Sequence, residues 1–252
     1  MQASKEWDAR TYDRVSDPQL RWGREVLDRL VLGGDEVVVD AGCGTGRVTQ
    51  LLLERLPSGR VIALDASQAM LDQAAANLAG DSDRVAFVLA DLADALSIEE
   101  RVDAVLSTAT FHWVTDHGRL FANLAAVMRP GAQLVAQCGG AGNVSRVERA
   151  LAEMGYDWTD TKNFAGPKET EARLREAGFV EAKAWLEPKP TRLEPGPPFE
   201  EFLSTVVLRD YVRRLPAAEA AAFVHDVAQR VGEPELDYVR LNITAKRAET
   251  SA

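Results

Sequence analysis

The chain has 252 residues, of which 46% are hydrophobic and 27% are charged, values typical of a globular protein with one substantial core. Its formal net charge of −10 argues against a nucleic-acid partner, because a phosphate-binding surface requires a basic patch. No apolar run approaches the ~18 residues of a membrane span, and the first residues lack the apolar segment of a signal peptide, so we expect a cytoplasmic protein without a membrane partner.

The first predicted element is a helix over Asp17–Leu30, which ends at the Gly33-Gly34 pair. We expect residues 1–34 to form N-terminal lid helices, and residues 35–252 to form the main domain. Two aromatic side chains of the lid are candidates to close over a ligand, with packing against the first helix of the domain as the alternative: Tyr12 and Trp22.

A strand beginning at Val37 ends in Asp40 and runs into three glycines at alternate positions, Gly42, Gly44 and Gly46. Glycine is required where a Cβ would block a turn or keep the backbone away from a ligand. The G-x-G-x-G spacing differs from the G-x-G-x-x-G pattern that dinucleotide-binding folds use. The segment therefore predicts a nucleotide-type cofactor site and makes a nicotinamide dinucleotide the weaker alternative.

Two further strands each lead into an acid. The second, Val61–Asp65, places its carboxylate at the distance from the glycines where an acid binds ribose hydroxyls, although a surface acid is the alternative. The third, Val85–Leu89, is followed by Ala90-Asp91-Leu92, where a carboxylate and a backbone N–H could read an adenine edge. The alternative for Asp91 is a helix cap.

Helical segments separate these strands. Ser67 is positioned to cap a helix whose Met70 either packs in the core or stacks on adenine, and Asp116 begins another helix that ends at Pro130-Gly131. This alternation over residues 37–138 predicts a parallel sheet with helices on both faces.

The fourth strand, Ala104–Ser107, leads into a segment that ends in His112 and Trp113. Ligands bind beyond the carboxyl ends of such strands, so both side chains are candidates to contact cofactor or substrate. A packed structural histidine is the alternative for His112, and general-base catalysis is a further one.

After the fifth strand, Gln133–Gln137, three glycines lie within residues 138–143 outside any predicted helix or strand, which indicates close approach to a ligand. Strands are then predicted over Val180–Leu186 and Leu236–Ala245. The helical segments between them carry two arginines that share a helix face and are either a solvated basic face or an anchor for an anion: Arg209 and Arg213.

These motifs resemble those of the class I S-adenosylmethionine (SAM) dependent methyltransferases and, within them, the trans-aconitate methyltransferase-like group. The resemblance covers nearly all of the chain and rests on Val39–Arg47, Leu64–Ser67, Met70, Ala90–Leu92, Phe111–Val114, Asp116-His117 and Leu236–Asn242. It implies a doubly wound, mostly parallel seven-stranded sheet with an antiparallel last strand, and a helical insertion at residues 198–232 over the active site.

The resemblance also implies that SAM is the cofactor. Candidate cofactor-binding residues are Tyr12, Trp22, Asp40, Ala41, Gly42, Cys43, Gly44, Gly46, Asp65, Ala66, Met70, Ala90, Asp91, Leu92, Ser107, Thr108, Ala109, His112 and Trp113. Candidate substrate-binding residues are Gly139, Gly140, Asn143, Arg209 and Arg213, and the candidate catalytic residue is His112. No cluster of His, Cys or carboxylate residues at ligand spacing predicts a metal site.

We expect methyl transfer from SAM to a small molecule, with O-methylation of a carboxylate-bearing acceptor as the main hypothesis. An ionised carboxylate needs no general base, whereas O-methylation of a hydroxyl or phenol would need one, with His112 as the candidate. N- or C-methylation of a small metabolite, oxidoreduction with a nicotinamide cofactor and non-catalytic SAM binding are the competing hypotheses. Cys138-Gly139-Gly140 stands where the resemblance leads us to expect a proline-containing loop, which leaves the identity of the acceptor open.

Overall fold

The computed structural model describes residues 7–15, 17–156 and 161–249. The strands in this part of the chain are β1 Val37–Ala41, β2 Arg60–Asp65, β3 Val85–Leu89, β4 Val102–Thr108, β5 Met128–Gly139, β6 Phe179–Pro188, β7 Thr191–Arg192, β8 Glu235–Leu236 and β9 Val239–Arg247. Seven of them form one sheet in the order β3-β2-β1-β4-β5-β9-β6, and β7 pairs with β8 separately.

The sheet is mostly parallel. β1 pairs in parallel with β2 and β4, while β9 runs antiparallel to both of its neighbours, β5 and β6. The predicted seven-stranded sheet with an antiparallel last strand is therefore confirmed. The strand order reverses direction between β1 and β4, and the crevice beyond the carboxyl ends at such a reversal is where ligands bind in this type of sheet.

Helices cover both faces of the sheet. Their bounds are α1 Ala9–Val15, α2 Asp17–Leu27, α3 Arg47–Glu54, α4 Gln68–Asn77, α5 His117–Val127, α6 Ser145–Glu153, α7 Pro167–Glu176, α8 Pro197–Phe202, α9 Arg209–Val212 and α10 Ala217–Val231. The predicted cap at Ser67 is confirmed, because its side chain accepts a hydrogen bond from the Met70 N–H at 3.3 Å. Asp116, where a helix was predicted to begin, is the N-cap of α5 and accepts a hydrogen bond from the Arg119 N–H at 3.0 Å. No helix in the described residues is long and apolar enough to cross a membrane.

Alternate residues of β1 supply two different cores. Val39 packs in a cluster with Phe121 of α5, whereas Val38 packs in a second cluster with Leu52 of α3. A third cluster joins α6 to the helices at residues 197–231, which form a layer outside the sheet. The carboxyl ends of β1 and β4 thus lie between the core that packs on the sheet and this outer helical layer.

The terminal regions differ from their predicted boundaries. The N-terminal segment forms two helices rather than one, and the second ends at Leu27 instead of Leu30. The predicted strand Leu236–Ala245 is divided, with Asp237-Tyr238 separating β8 from β9. This break lets β8 leave the main sheet and pair with β7.

The predicted helix stop at Pro130-Gly131 lies inside β5. The β4–β5 register shifts between the pair Val102–Met128 and the pair Ala104–Gln133, so the proline sits in an irregular part of the ladder. A strand tolerates proline at such a bulge, because the missing N–H is not needed there.

Candidate active site

A cavity of about 510 Å³ opens beyond the carboxyl ends of β1, β2 and β4, within the size range of small-ligand sites. We call it the main cavity. The predicted site residues that line it are Tyr12, Gly42, Gly44, Asp65, Ala66, Met70, Ala90, Asp91, Leu92, Thr108, Ala109, Trp113, Arg209 and Arg213. The structure therefore brings together residues from the lid, from the ends of four strands and from the outer helical layer.

The three glycines of the first motif have different physical reasons to be glycine. Gly42 has φ +84°, and a Cβ there would lie 2.2 Å from Oγ1 of Thr110. Gly44 has φ +55°, and no atom of the described residues lies within 4 Å of the position that its Cβ would take. Gly46 is the N-cap of α3, where a Cβ would meet Leu78 at 2.9 Å. Only the second glycine of the motif leaves its space to a ligand.

Asp65 presents its carboxylate at the cavity wall. Its two oxygens accept hydrogen bonds from the N–H groups of Gly44 and Ser67, each at 2.9 Å. Burial raises the pKa of Asp65, and the two backbone hydrogen bonds oppose that shift. These bonds use one acceptor position on each oxygen and fix the orientation of the carboxylate.

Asp91 and Met70 lie on the wall of the same cavity. Asp91 Oδ1 accepts a hydrogen bond from the Ala93 N–H at 3.0 Å, an arrangement that orders the turn after β3. Met70 is 3% exposed, so it belongs both to the α4 packing surface and to the cavity wall.

Asp40 lies behind the glycine loop and does not line the main cavity. It is fully buried, and Oδ2 accepts a hydrogen bond from the Thr49 hydroxyl at 2.7 Å. Burial raises the pKa of Asp40 to about 6. Ser107 and Ala41 also lie outside the lining of the main cavity. The Ser107 hydroxyl donates a hydrogen bond to the Ala41 carbonyl at 2.7 Å.

The lid is tied to the rest of the site. The Thr45 hydroxyl donates to Asp13 at 2.6 Å, and the Trp7 N–H donates to Ser67 Oγ at 3.3 Å. Trp22 is buried, with its ring 5.1 Å from that of Tyr238, and does not line the main cavity. Cys43 lines a small pocket on the other side of the glycine loop.

A second, smaller space of about 40 Å³ adjoins the main cavity and shares Trp7, Tyr12, Ala109 and Trp113 with it. We call it the inner chamber. Its remaining walls are His112, Asn143, Val144, Lys162, Phe164, Val206, Val207, Tyr238 and Arg240. The predicted residues His112 and Asn143 thus face this chamber rather than the main cavity.

His112 is buried and uncharged at neutral pH. Its Nδ1 accepts a hydrogen bond from the Gly139 N–H at 3.3 Å, which leaves the proton on Nε2. The ring stacks on Phe164, with 5.7 Å between centroids. Burial is the main reason that the pKa of His112 is well below its usual range, and the charges of Arg240 and Lys162 add to that effect.

Gly139 and Gly140 are enclosed by protein and line neither space. A Cβ on Gly139 would lie 2.7 Å from the Phe164 ring, and one on Gly140 would lie 2.5 Å from Leu186. Asn143 follows them in the same loop, and its Oδ1 accepts a hydrogen bond from the Val239 N–H at 3.0 Å. The glycines therefore allow close packing around the inner chamber.

Arg209 and Arg213 lie on the outer side of the main cavity. The Arg209 guanidinium lies 4.0 Å from the centroid of Trp7 and pairs with Asp210 at 3.0 Å. Arg213 is exposed at the rim.

Sequence reasoning did not select the two buried cations of the inner chamber, Lys162 and Arg240. Arg240 occupies a polar position in the alternating pattern of the last strand, where an exposed side chain is expected, so the pattern did not indicate its burial. Lys162 carried no signal either, since its segment is irregular in sequence and is brought to the chamber by tertiary packing.

The comparisons with known proteins agree with this geometry. Residues 38–131 match the family described as a methyltransferase domain. A trans-aconitate 2-methyltransferase of Acidovorax sp. (strain JS42) is 31% identical over 239 residues, which cover 90% of this chain and 90% of that protein. The chain belongs to the trans-aconitate 2-methyltransferase family.

Further matches are consistent with this family and fold. A trans-aconitate 2-methyltransferase of Methylobacterium nodulans is 33% identical over 189 residues, 72% of this chain and 67% of that protein. The solved phosphoethanolamine N-methyltransferase 2 of Haemonchus contortus, in complex with phosphomonomethylethanolamine and S-adenosylhomocysteine, has a TM-score of 0.63 at 15% identity. That match covers 96% of this chain and 57% of the other and shows the shared fold.

The protein is therefore a SAM-dependent methyltransferase that acts on a small molecule, and SAM is its cofactor. The main cavity fits this cofactor on two observations. The open space beside Gly44 lets a ligand approach the backbone closely, and the Asp65 carboxylate retains acceptor positions beyond its two backbone hydrogen bonds.

Proposed function

We propose that the protein transfers the methyl group of SAM to a carboxylate oxygen of a small anionic molecule, forming a methyl ester. The relatives named trans-aconitate 2-methyltransferases support this acceptor class. The observation that carries the proposal is the protonation of His112, which lines the inner chamber beside the main cavity.

His112 is poorly suited to act as a general base. Its Nδ1 lone pair already accepts the Gly139 N–H, its Nε2 carries the proton, and burial disfavours the imidazolium that a base would become. A hydroxyl or phenol acceptor would need a base, whereas a carboxylate, with an ordinary pKa of about 4, is ionised at neutral pH without one. These properties of His112 favour the carboxylate acceptor.

In this proposal the chain binds and orients two reactants. SAM supplies an electrophilic methyl group on a sulfonium. Asp65 accepts hydrogen bonds from the ribose hydroxyls, the segment Ala90–Leu92 holds the adenine, and the backbone at Gly44 lies against the amino-acid part. Trp113 and Ala109 line both the main cavity and the inner chamber, so an acceptor that lies against them is held next to the cofactor.

The remaining predicted residues have supporting roles in the proposal. Arg209 and Arg213 supply positive charge at the entrance for an anionic acceptor. Asp40, Ala41, Gly46 and Ser107 hold the glycine loop from behind, and Trp22 supports the inner chamber through Tyr238.

The pH dependence of kcat/KM for trans-aconitate tests the carboxylate acceptor. We expect no rising limb near neutrality in the wild type. The folded-state pKa of His112 lies below its ordinary 6.5, so the side chain stays neutral above that value, and the acceptor is already ionised. In His112→Ala we expect a fall in kcat/KM of less than about tenfold with an unchanged pH profile.

His225→Ala is the matched control, because His225 is exposed and lies outside both spaces. A limb that rises with pH near neutrality in the wild type and disappears in His112→Ala would favour a hydroxyl or phenol acceptor with His112 as its base.

A further inference from the structure

Arg240 is a buried cation that forms no ion pair with any acid of the described residues. It is 3% exposed, and Nε donates to Gln137 Oε1 at 3.4 Å. Nη2 has no hydrogen-bond partner, and no carboxylate lies within ion-pair distance of the guanidinium, in the part of the chain that the structure describes. Burial accordingly lowers the pKa of Arg240. A buried charge without a counterion is costly, which indicates that an anion belongs beside it.

The Tyr238 hydroxyl is also a buried donor without a partner among the described residues, and Tyr238 lines the same chamber. Its ring lies 5.9 Å from the Arg240 guanidinium, and the Trp22 ring supports both side chains. Since buried polar groups are nearly always paired, two unpaired donors in one small chamber point to a shared ligand.

The other polar groups of the inner chamber have the same preference for an anion. His112 carries its proton on Nε2, and Lys162 adds a second cation, whose Nζ donates to the Val207 carbonyl at 3.1 Å and lies 4.0 Å from Asp210. Among the described residues, none that lines this chamber is an Asp or a Glu, although the protein has a net charge of −10. The charges on these described lining residues favour an anion over a cation in the chamber.

The size and position of the inner chamber limit what it can hold. Its volume of about 40 Å³ suits one small group rather than a whole acceptor, and its shared walls place that group next to the main cavity. Two of its residues adopt left-handed backbone conformations, Ala109 with φ 55° and Val144 with φ 50°. Such strain is typical of functional sites, where the surrounding structure holds it in place.

We propose that Arg240 and Tyr238, with the His112 Nε2–H, bind a carboxylate of the acceptor that is not methylated. The acceptor then carries at least two carboxylates, one held in the inner chamber and one positioned in the main cavity. A carboxylate whose oxygens are hydrogen-bonded to Arg240 and Tyr238 in the inner chamber is held away from the methyl donor in the main cavity, so the reacting carboxylate is the other one. This inference rests on the proposed carboxylate methylation.

Calorimetry of trans-aconitate binding in the presence of S-adenosylhomocysteine tests the assignment with two variants. Tyr238→Phe removes a donor that has no other partner, and we expect affinity for trans-aconitate to fall at least about tenfold. For Arg240→Met we expect a fall of at least about a hundredfold, because the charged, two-pronged partner of the anion is lost. Affinity for S-adenosylhomocysteine stays at the wild-type value in both variants.

The melting temperature separates ligand binding from a structural role. Arg240→Met replaces an uncompensated buried charge by an apolar side chain of similar size, so we expect the ligand-free variant to melt no lower than the wild type. A substantially lower melting temperature, with trans-aconitate affinity retained, would make Arg240 structural and overturn the inference. Tyr156→Phe and exposed Arg192→Met are matched controls, since neither residue lines the main cavity or the inner chamber.

A substrate comparison distinguishes this inference from the proposed function. We expect the wild type to methylate trans-aconitate and fumarate with a KM at least about tenfold below that for the monocarboxylate crotonate, and Arg240→Met to lose this preference. If the KM for crotonate equals that for trans-aconitate and fumarate, the inner-chamber assignment is wrong while carboxylate methylation stands. If the wild type neither binds nor methylates any of the three, the proposed function fails and the inference fails with it.

Discussion

Two acids in the first half of the chain illustrate how position in the sheet decides the role of a single residue. Asp40 faces the interior behind the glycine loop and bonds to Thr49, whereas Asp65 faces the main cavity. Both have a raised pKa because both are largely removed from water. Only Asp65 is placed where its carboxylate can contact a ligand.

We expect Asp65→Ala to weaken binding of S-adenosylhomocysteine at least about a hundredfold, because two hydrogen bonds to a charged acceptor are lost at roughly 1.5 kcal/mol or more each. Isothermal calorimetry measures this loss, and a melting curve checks that the variant is folded. Asp94→Ala is the control, since Asp94 is exposed and lies outside the cavity. Unchanged affinity in folded Asp65→Ala would remove the ribose assignment.

Single-residue prediction from sequence was strongest where a motif has a local geometric reason and weakest where folding brings distant segments together. Asp65 follows a strand at a set distance from the glycines, so its place on the cavity wall could be anticipated. His112 was located near the site, but the hydrogen bond from Gly139 that fixes its tautomer depends on strand pairing. Arg240 and Lys162 line one chamber only because β9 pairs with β5 and tertiary packing brings the segment at residue 162 to the same place.

At the scale of elements, the strands and caps of the first half could be predicted because their signals are local. Each strand is a short apolar run, and Ser67 and Asp116 cap the helices that follow. The helices α1, α6 and α7 escaped prediction because few of their residues are apolar and their stability depends on tertiary packing. The continuation of β5 through Pro130-Gly131 needed knowledge of the β4 register.

The strand-to-helix turn after β1 makes an element-level prediction about two glycines. We expect Gly42→Ala to lower the melting temperature strongly, because its Cβ would collide with Thr110 in addition to the cost of a left-handed φ. Gly44→Ala meets no protein atom, so we expect a fold cost of only about 1 kcal/mol but a large loss of S-adenosylhomocysteine affinity.

Melting curves and calorimetry on both variants, with Gly80→Ala as the control, measure the two effects separately. Gly80 has open space around its absent Cβ and lies outside the cavity. Wild-type ligand affinity in Gly44→Ala would show that this glycine does not face the cofactor.

The whole molecule combines an acidic surface with a cationic interior at one point. The protein has a net charge of −10, yet Arg240 and Lys162 are both buried and both line the inner chamber. A general excess of acid does not hold a specific anion, so recognition of an anionic acceptor depends on these few desolvated groups. The β9 strand, inserted between β5 and β6, carries Arg240 to that point.

The identity of the methylated product tests the central claim most directly. The protein is incubated with SAM and trans-aconitate, and the product is analysed by mass spectrometry before and after mild alkaline hydrolysis. We predict a gain of one methyl group that is lost in alkali with return of the starting acid, as a methyl ester requires. An alkali-stable methyl product, or no methylation of any carboxylic acid by folded protein that binds S-adenosylhomocysteine, would contradict the proposed carboxylate O-methylation.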